Sequence, residues 1–116
     1  MRDIIEAAWD NRELLDNNKT KEAVRNVISL LDKGELRVAE KINNHWKVND
    51  WVKKAVILFF PISKMESIEV GPFEFHDKIP LKNNYKEKGV RVVPHAVSRY
   101  GSFIEKGAVL MPSYVN

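Results

Sequence analysis

Residues 96–116 read Ala96-Val97-Ser98-Arg99-Tyr100-Gly101-Ser102-Phe103-Ile104-Glu105-Lys106-Gly107-Ala108-Val109-Leu110-Met111-Pro112-Ser113-Tyr114-Val115-Asn116. Val97, Phe103, Val109 and Val115 recur every six residues. The residues before them are Ala96, Ser102, Ala108 and Tyr114, and those after them are Ser98, Ile104, Leu110 and Asn116. Gly101 and Gly107 share a further column, which His95 opens. A period of six fits neither a helical stripe nor the two-residue alternation of a strand. It is the period of a hexapeptide β-helix, in which each hexad forms one side of a triangular coil. One column of such a coil points inward and stacks on itself, so its residues must be apolar or small. Two strands and a hairpin that share a spacing are the alternative. Three hexads close one coil, so residues 92–116 make less than a coil and a half, whereas repeat folds need about three stacked units. The sequence is therefore expected to be the truncated start of a repeat domain.

Upstream, the pattern changes to helical. Ile4, Ile5, Ala8, Trp9 and Leu15 lie at helical spacing over Asp3–Leu15, with Arg12 interrupting the face. A loop at Asn17-Asn18 precedes a second helix, 20–33, which Thr20 can cap and on which Ala23, Val24, Val27, Ile28 and Leu31 form a stripe. Gly34 stands where a left-handed cap is wanted. Leu36, Val38, Glu40 and Ile42 predict a strand, Asn43-Asn44 a tight turn, and Trp46 and Val48 the return strand. Asp50 can cap a third helix to Phe60, apolar nearly all round and so expected to be buried, and Pro61 ends it. From Ile62 to Gly89 the pattern is weaker: Ile68 and Val70, then Phe73 and Phe75, alternate about a Gly71-Pro72 turn, and Asn83–Lys88 reads as a polar loop. Residues 1–89 are thus expected to form one α+β domain of three helices and a β-hairpin, and residues 90–116 the start of the hexapeptide repeat.

Composition bounds the function. With 116 residues, 44% of them hydrophobic and 30% charged, the chain is an ordinary globular one. The longest apolar run, Ala55–Phe60, is too short to span a membrane. Met1-Arg2-Asp3 opens no secretory signal. The absence of cysteine excludes disulfides, thiolate catalysis and cysteine-ligated zinc, and suits the cytoplasm. The net charge of +3 raises nucleic-acid binding, but acids and bases interleave, as in Glu35-Leu36-Arg37 and Glu40-Lys41, which reads as a solvated mixed surface. His45, His76 and His95 show no metal-ligand spacing. Trp9, Trp46 and Trp51 are expected in packing rather than base stacking. No phosphate-binding glycine loop, nucleophile elbow or paired-His motif is present.

Five segments in order carry a resemblance: Leu36–Ile42, Asp50–Leu58, Asp77–Lys82, Gly89-Val90-Arg91-Val92-Val93-Pro94, and Arg99 through Asn116 with Gly101, Phe103-Ile104 and Val109–Asn116. They resemble the N-terminal domain and first hexapeptide turns of the bacterial tetrahydrodipicolinate N-succinyltransferases, over the whole chain. His95 departs from the small residue or Pro often found there. The resemblance implies a left-handed parallel β-helix, an exception to the right-handed crossover rule, and a homotrimer with active sites between neighbouring β-helices. It implies succinyl transfer from succinyl-CoA, as co-substrate, to the open form 2-amino-6-oxopimelate on the diaminopimelate route to lysine. No metal or prosthetic group is implied. Arg91 is the substrate-binding candidate, because the Arg of this segment contacts the dicarboxylate in the family. Arg99, two residues past Val97, reads as a surface ion pair. The family's catalytic acids and CoA-binding coils follow the equivalent of Asn116, so no catalytic or cofactor-binding residue is expected in this chain and it should be inactive alone. The alternative is a non-catalytic fragment that binds protein partners.

Overall fold

The computed structural model describes residues 1–116. Helix α1 (Arg2–Asp10) is followed by a 3-10 turn (Arg12–Asp16) and helix α2 (Asn18–Asp32). The helix expected over 3–15 is thus broken at Asn11, which is extended (φ −133°) and whose side chain accepts from the Glu13 N–H at 3.2 Å. Asn side chains compete with the helical ladder in this way. Asn17, rather than Thr20, caps α2, accepting from the Lys19 N–H at 2.8 Å; Thr20 is buried one turn in. Arg12, which interrupts the apolar face in sequence, lies 4.6 Å over the Trp9 ring.

Strands β1 (Ala39–Ile42) and β2 (His45–Val48) form the expected hairpin. Asn43 and Asn44 both have positive φ, 48° and 64°, as a two-residue turn between twisted strands requires. Helix α3 (Asp50–Phe59) begins behind Asn49, whose side chain donates to the Arg37 carbonyl at 2.9 Å and so ties the helix to the hairpin instead of an Asp50 cap. Strands β3 (Glu66–Val70) and β4 (Phe73–Asp77) make a second hairpin about Gly71-Pro72, beyond the single one expected. A short helix α4 (Tyr85–Lys88) replaces the expected polar loop; left-handed residues Asn84 and Gly89 bracket its one turn.

Helices α1, α2 and α3 enclose the core: Ile5, Ala8, Val24, Val27, Val52, Ala55 and Leu58 are buried, with Leu36, Val38 and Tyr100 packed against them. Helix α3 is not buried all round. Val52, Ala55 and Leu58 face the core while Ile57, and Phe60 just past the helix end, are exposed. Trp46 departs further from expectation. It is 71% exposed, because β1 and β2 project from the helices with both faces bare.

Beyond α4 the chain forms four two-residue strands: β5 (Arg91–Val92), β6 (Val97–Ser98), β7 (Val109–Leu110) and β8 (Tyr114–Val115). They pair in parallel, β5 with β7 and β6 with β8. Arg91 opposes Val109, a separation of 18 residues, or three hexads; Val97 opposes Tyr114, a separation of 17. The covered column is the one after the apolar set. Val92, Ile104 and Leu110 are half-buried and Ser98 is fully buried, though Asn116 is exposed; in the apolar set Val97 and Val115 are half-buried and Phe103 and Val109 are exposed. Alternation along an extended chain turns Val109 out where Leu110 turns in. Phe103 lies against Gly34 at the end of α2, under the Arg37 guanidinium at 5.2 Å.

Gly34 answers two demands at once. Its φ is +74°, and a Cβ there would stand 2.7 Å from the Phe103 ring. Gly34→Ala is therefore expected to destabilise the chain by about 1–2 kcal/mol from the left-handed backbone alone, and by more through displacement of Phe103. Urea denaturation measures it; a loss no larger than the backbone cost of about 1–2 kcal/mol would show that Phe103 does not dock there.

Candidate functional site

Arg91 is placed by the backbone on either side of it. Gly89 is left-handed (φ 68°) and closes α4. The Val90 N–H donates to the Tyr85 carbonyl at 2.9 Å, the Gly107 N–H to the Gly89 carbonyl at 2.8 Å, and the Arg91 N–H to the Ala108 carbonyl at 3.1 Å. Val90 is buried and Val92 half-buried, so strand alternation sends Arg91 outward. Its side chain is exposed and takes no hydrogen bond or ion pair from the chain. A guanidinium on a fixed strand with all its donors free can grip a carboxylate through two parallel hydrogen bonds.

Two buried polar contacts hold this ledge to the helices. The Tyr85 hydroxyl and Ser98 Oγ are 2.7 Å apart, which satisfies a serine that is 0% exposed. The Lys82 N–H donates to the Ser98 carbonyl at 2.9 Å, and the Lys82 ammonium bonds Asp32 Oδ1 at 2.6 Å and the Asp32 carbonyl at 3.1 Å. Asp32 Oδ1 also accepts from the Gly101 N–H at 2.9 Å. One carboxylate therefore joins the end of α2, the strap before α4 and the turn between β6 and β7. Sequence reading gave Tyr85, Ser98, Lys82 and Asp32 no role. Their one signal is Ser98 beside Val92, Ile104 and Leu110 in one column, where a buried hydroxyl calls for a partner.

Arg99 forms the expected ion pair, with its own side chain largely covered and the Asp77 side chain still 38% exposed. The Arg99 side chain is 17% exposed, with Nη2 2.6 Å from Asp77 Oδ2 and Nη1 donating to Asn116 Oδ1 at 3.2 Å. The Phe60 and Tyr114 rings flank it at 5.8 and 5.9 Å. The Asp77 carboxyl is held below its ordinary pKa of 3.8, first by the Lys78 backbone N–H, against the opposing effect of burial, and then by Arg99. A depressed folded-state pKa adds stability that is present above the unfolded value and is lost as pH falls through the folded one. Stability should thus fall below about pH 4, and less steeply in Asp77→Asn. Parallel acid titrations of the two chains at fixed urea check this; identical slopes would remove Asp77 from the acid response.

The three histidines are not brought together. His45 is exposed on β2, His76 Nδ1 lies 2.8 Å from Ser67 Oγ, and the His95 and Phe73 rings meet in a T-shape with centroids 5.6 Å apart. No group of three or more His, Asp or Glu side chains converges as a metal site.

Residues 1–62 match the family model described as the tetrahydrodipicolinate N-succinyltransferase N-terminal domain. The whole chain is 45% identical to a protein of Pseudoalteromonas translucida named 2,3,4,5-tetrahydropyridine-2,6-dicarboxylate N-succinyltransferase, of which it covers 46%. It is 46% identical to the protein of that name from Legionella pneumophila strain Paris, again over all of this chain and 46% of the relative. The protein of the same name from Cupriavidus necator is 49% identical over 97% of this chain and 45% of its own length. The chain thus spans about half the length of the curated relatives it matches. With a family model covering more than half of its residues, the chain belongs to the tetrahydrodipicolinate N-succinyltransferase N-terminal family.

Proposed function

We propose that this chain is the N-terminal portion of an enzyme that transfers succinyl from succinyl-CoA to tetrahydrodipicolinate, as 2-amino-6-oxopimelate. The amine attacks the thioester carbonyl, the new amide forms, and CoA leaves as its thiol. Arg91 holds a carboxylate of the acceptor. The observation that carries the reading is the similarity along the whole chain to proteins named for this reaction. The free guanidinium of Arg91 on β5 supplies a chemically suitable contact.

In this reading residues 1–89 are the α+β domain and residues 90–116 begin a left-handed β-helix. Parallel pairing at separations of 18 and 17 residues supports the coil. A cytoplasmic homotrimer with sites in the grooves between coils belongs to the same proposal. No helix is long and apolar enough to cross a membrane. Arg91 stands alone, with no polar side chain bonded to it, and rate enhancement in acyl transfer comes mainly from several positioned groups. The 116-residue chain by itself is therefore expected to be inactive.

The test joins residues 1–116 to the part of the Cupriavidus necator relative outside the match and follows CoA thiol release. The joined chain should turn over and the 116-residue chain should not. A folded joined chain without turnover would overturn the reading; turnover by the short chain alone would misplace the catalytic groups. One observation favours a second reading, a non-catalytic fragment that binds protein. Ile68, Val70, Phe73 and Phe75 share one exposed face of the β3–β4 hairpin, and such a face marks a contact surface.

A further inference from the structure

Two clefts adjoin at the turn after α3 and share Ile62, Ser63 and Lys64. One, of about 410 Å³, is lined by Arg25, Lys64, Lys78, Glu66 and Tyr100 among others. The second, of about 430 Å³, adds Arg12, Lys21 and Asp16. Arg91 lines neither.

None of the five cations is in an ion pair, although Asp16 and Glu66 line the same clefts. Lys78 gives its ammonium only to the Phe60 carbonyl, at 3.2 Å, and Arg12 stacks on Trp9. The Tyr100 hydroxyl takes no hydrogen bond from the chain. Lys21 and Arg25 stand four residues apart on α2, where like charges repel and weaken the helix. The clefts contain five of the chain's 19 bases and two of its 16 acids, so 14 bases and 14 acids remain elsewhere and balance. The entire net charge of +3 therefore sits in this one place.

We propose that the paired clefts bind a small oligophosphate, an anion with two or more linked phosphates. Two arginines and three lysines around adjoining hollows suit several charged oxygens at once, the arginines by bidentate pairing and the lysines as point charges. A nucleic acid would need a longer basic stripe, which the balanced remainder of the surface does not supply. A monocarboxylate would engage one cation and leave the others facing each other. The same linked phosphates occur in free polyphosphates and nucleotides and in the diphosphate of CoA.

The experiment titrates tripolyphosphate, ATP, CoA and orthophosphate into the isotopically labelled 116-residue chain at low salt, reading backbone amide shifts. Saturable shifts at Lys21, Arg25, Ser63, Lys64 and Lys78 are expected. The exposed pair Arg25→Glu with Lys64→Glu should weaken tripolyphosphate at least about tenfold, and the control Lys41→Glu with Lys47→Glu on the β1–β2 hairpin less than about twofold. If the Glu pair fails to fold, Arg25→Gln with Lys64→Gln replaces it. CoA binding more tightly than tripolyphosphate would assign the clefts to a phosphate-bearing cofactor, and the reverse to a free oligophosphate. Absence of saturation, equal losses from cleft and control variants, or orthophosphate binding as tightly as tripolyphosphate would overturn the proposal.

Discussion

Asp32→Ala is expected to cost about 3–5 kcal/mol of folding stability, the penalty for leaving a buried charge without its partner. The Lys82 side chain is 2% exposed, and its ammonium has only Asp32 Oδ1 and the Asp32 carbonyl as acceptors. The same carboxylate oxygen accepts from the Gly101 N–H, so the substitution orphans a second donor. A domain of ordinary stability has only about 5–15 kcal/mol in hand, and a loss of this size leaves the segment around Gly101 poorly docked on α2. Lys82→Met in the Asp32→Ala background should recover a large part, since it removes the uncompensated charge and keeps an apolar stem of similar length. Urea denaturation of the two single variants and the double variant measures both effects. A loss below about 1 kcal/mol in Asp32→Ala would mean that Lys82 finds water or another acceptor.

What the sequence made legible follows from how local each signal is. The positive φ at Asn43, Asn44 and Gly34 is a property of single residues, and each turn lies where those residues predict. The six-residue recurrence is likewise visible along the chain, while the parallel pairs it foreshadows fall 18 residues apart at Arg91 and Val109 but 17 apart at Val97 and Tyr114. Signals that depend on a distant partner were not legible. Phe103 belongs to the apolar column by spacing, yet it packs on Gly34, 69 residues earlier. Lys82 looks like one more solvated lysine until folding brings Asp32 to it. Asn11 looks helical by its neighbours' periodicity, but its own side chain offers the Glu13 N–H an alternative acceptor.

Charge shows the same limit most clearly. Acids and bases alternate along the chain, which reads as a mixed surface, while Arg12, Lys21, Arg25, Lys64 and Lys78 meet only in the folded molecule. The Lys21–Arg25 spacing on one helix was the local hint. Of the candidate site, Arg91 was singled out by the resemblance of its Gly89–Pro94 segment to the family and not by any local pattern; folding adds that alternation between Val90 and Val92 turns its side chain outward. The Tyr85–Ser98 contact that ties β6 to α4 was not legible, because it links residues 13 apart through side chains alone.

Arg91→Ala, made in residues 1–116 joined to the remainder of a full-length relative, is expected to lower kcat/KM for tetrahydrodipicolinate about 10- to 100-fold. A charge-assisted bidentate pair is worth roughly 1.5–3 kcal/mol, and the loss converts directly into transition-state stabilisation. Arg91→Lys should recover only part, because lysine keeps the charge without the planar fork. Apparent affinity for succinyl-CoA should change little. The melting temperature should hold, since the Arg91 side chain has no partner within the chain and only its backbone serves the ladder with Val109. If Arg91 merely braced the join between helices and coil, Arg91→Ala would lower the melting temperature and weaken both substrates alike. The most direct measurement is therefore kcat/KM for tetrahydrodipicolinate in a fully folded Arg91→Ala enzyme. A drop of tenfold or more, confined to that substrate, is the expected result; an unchanged value would contradict the account and remove Arg91 from the site.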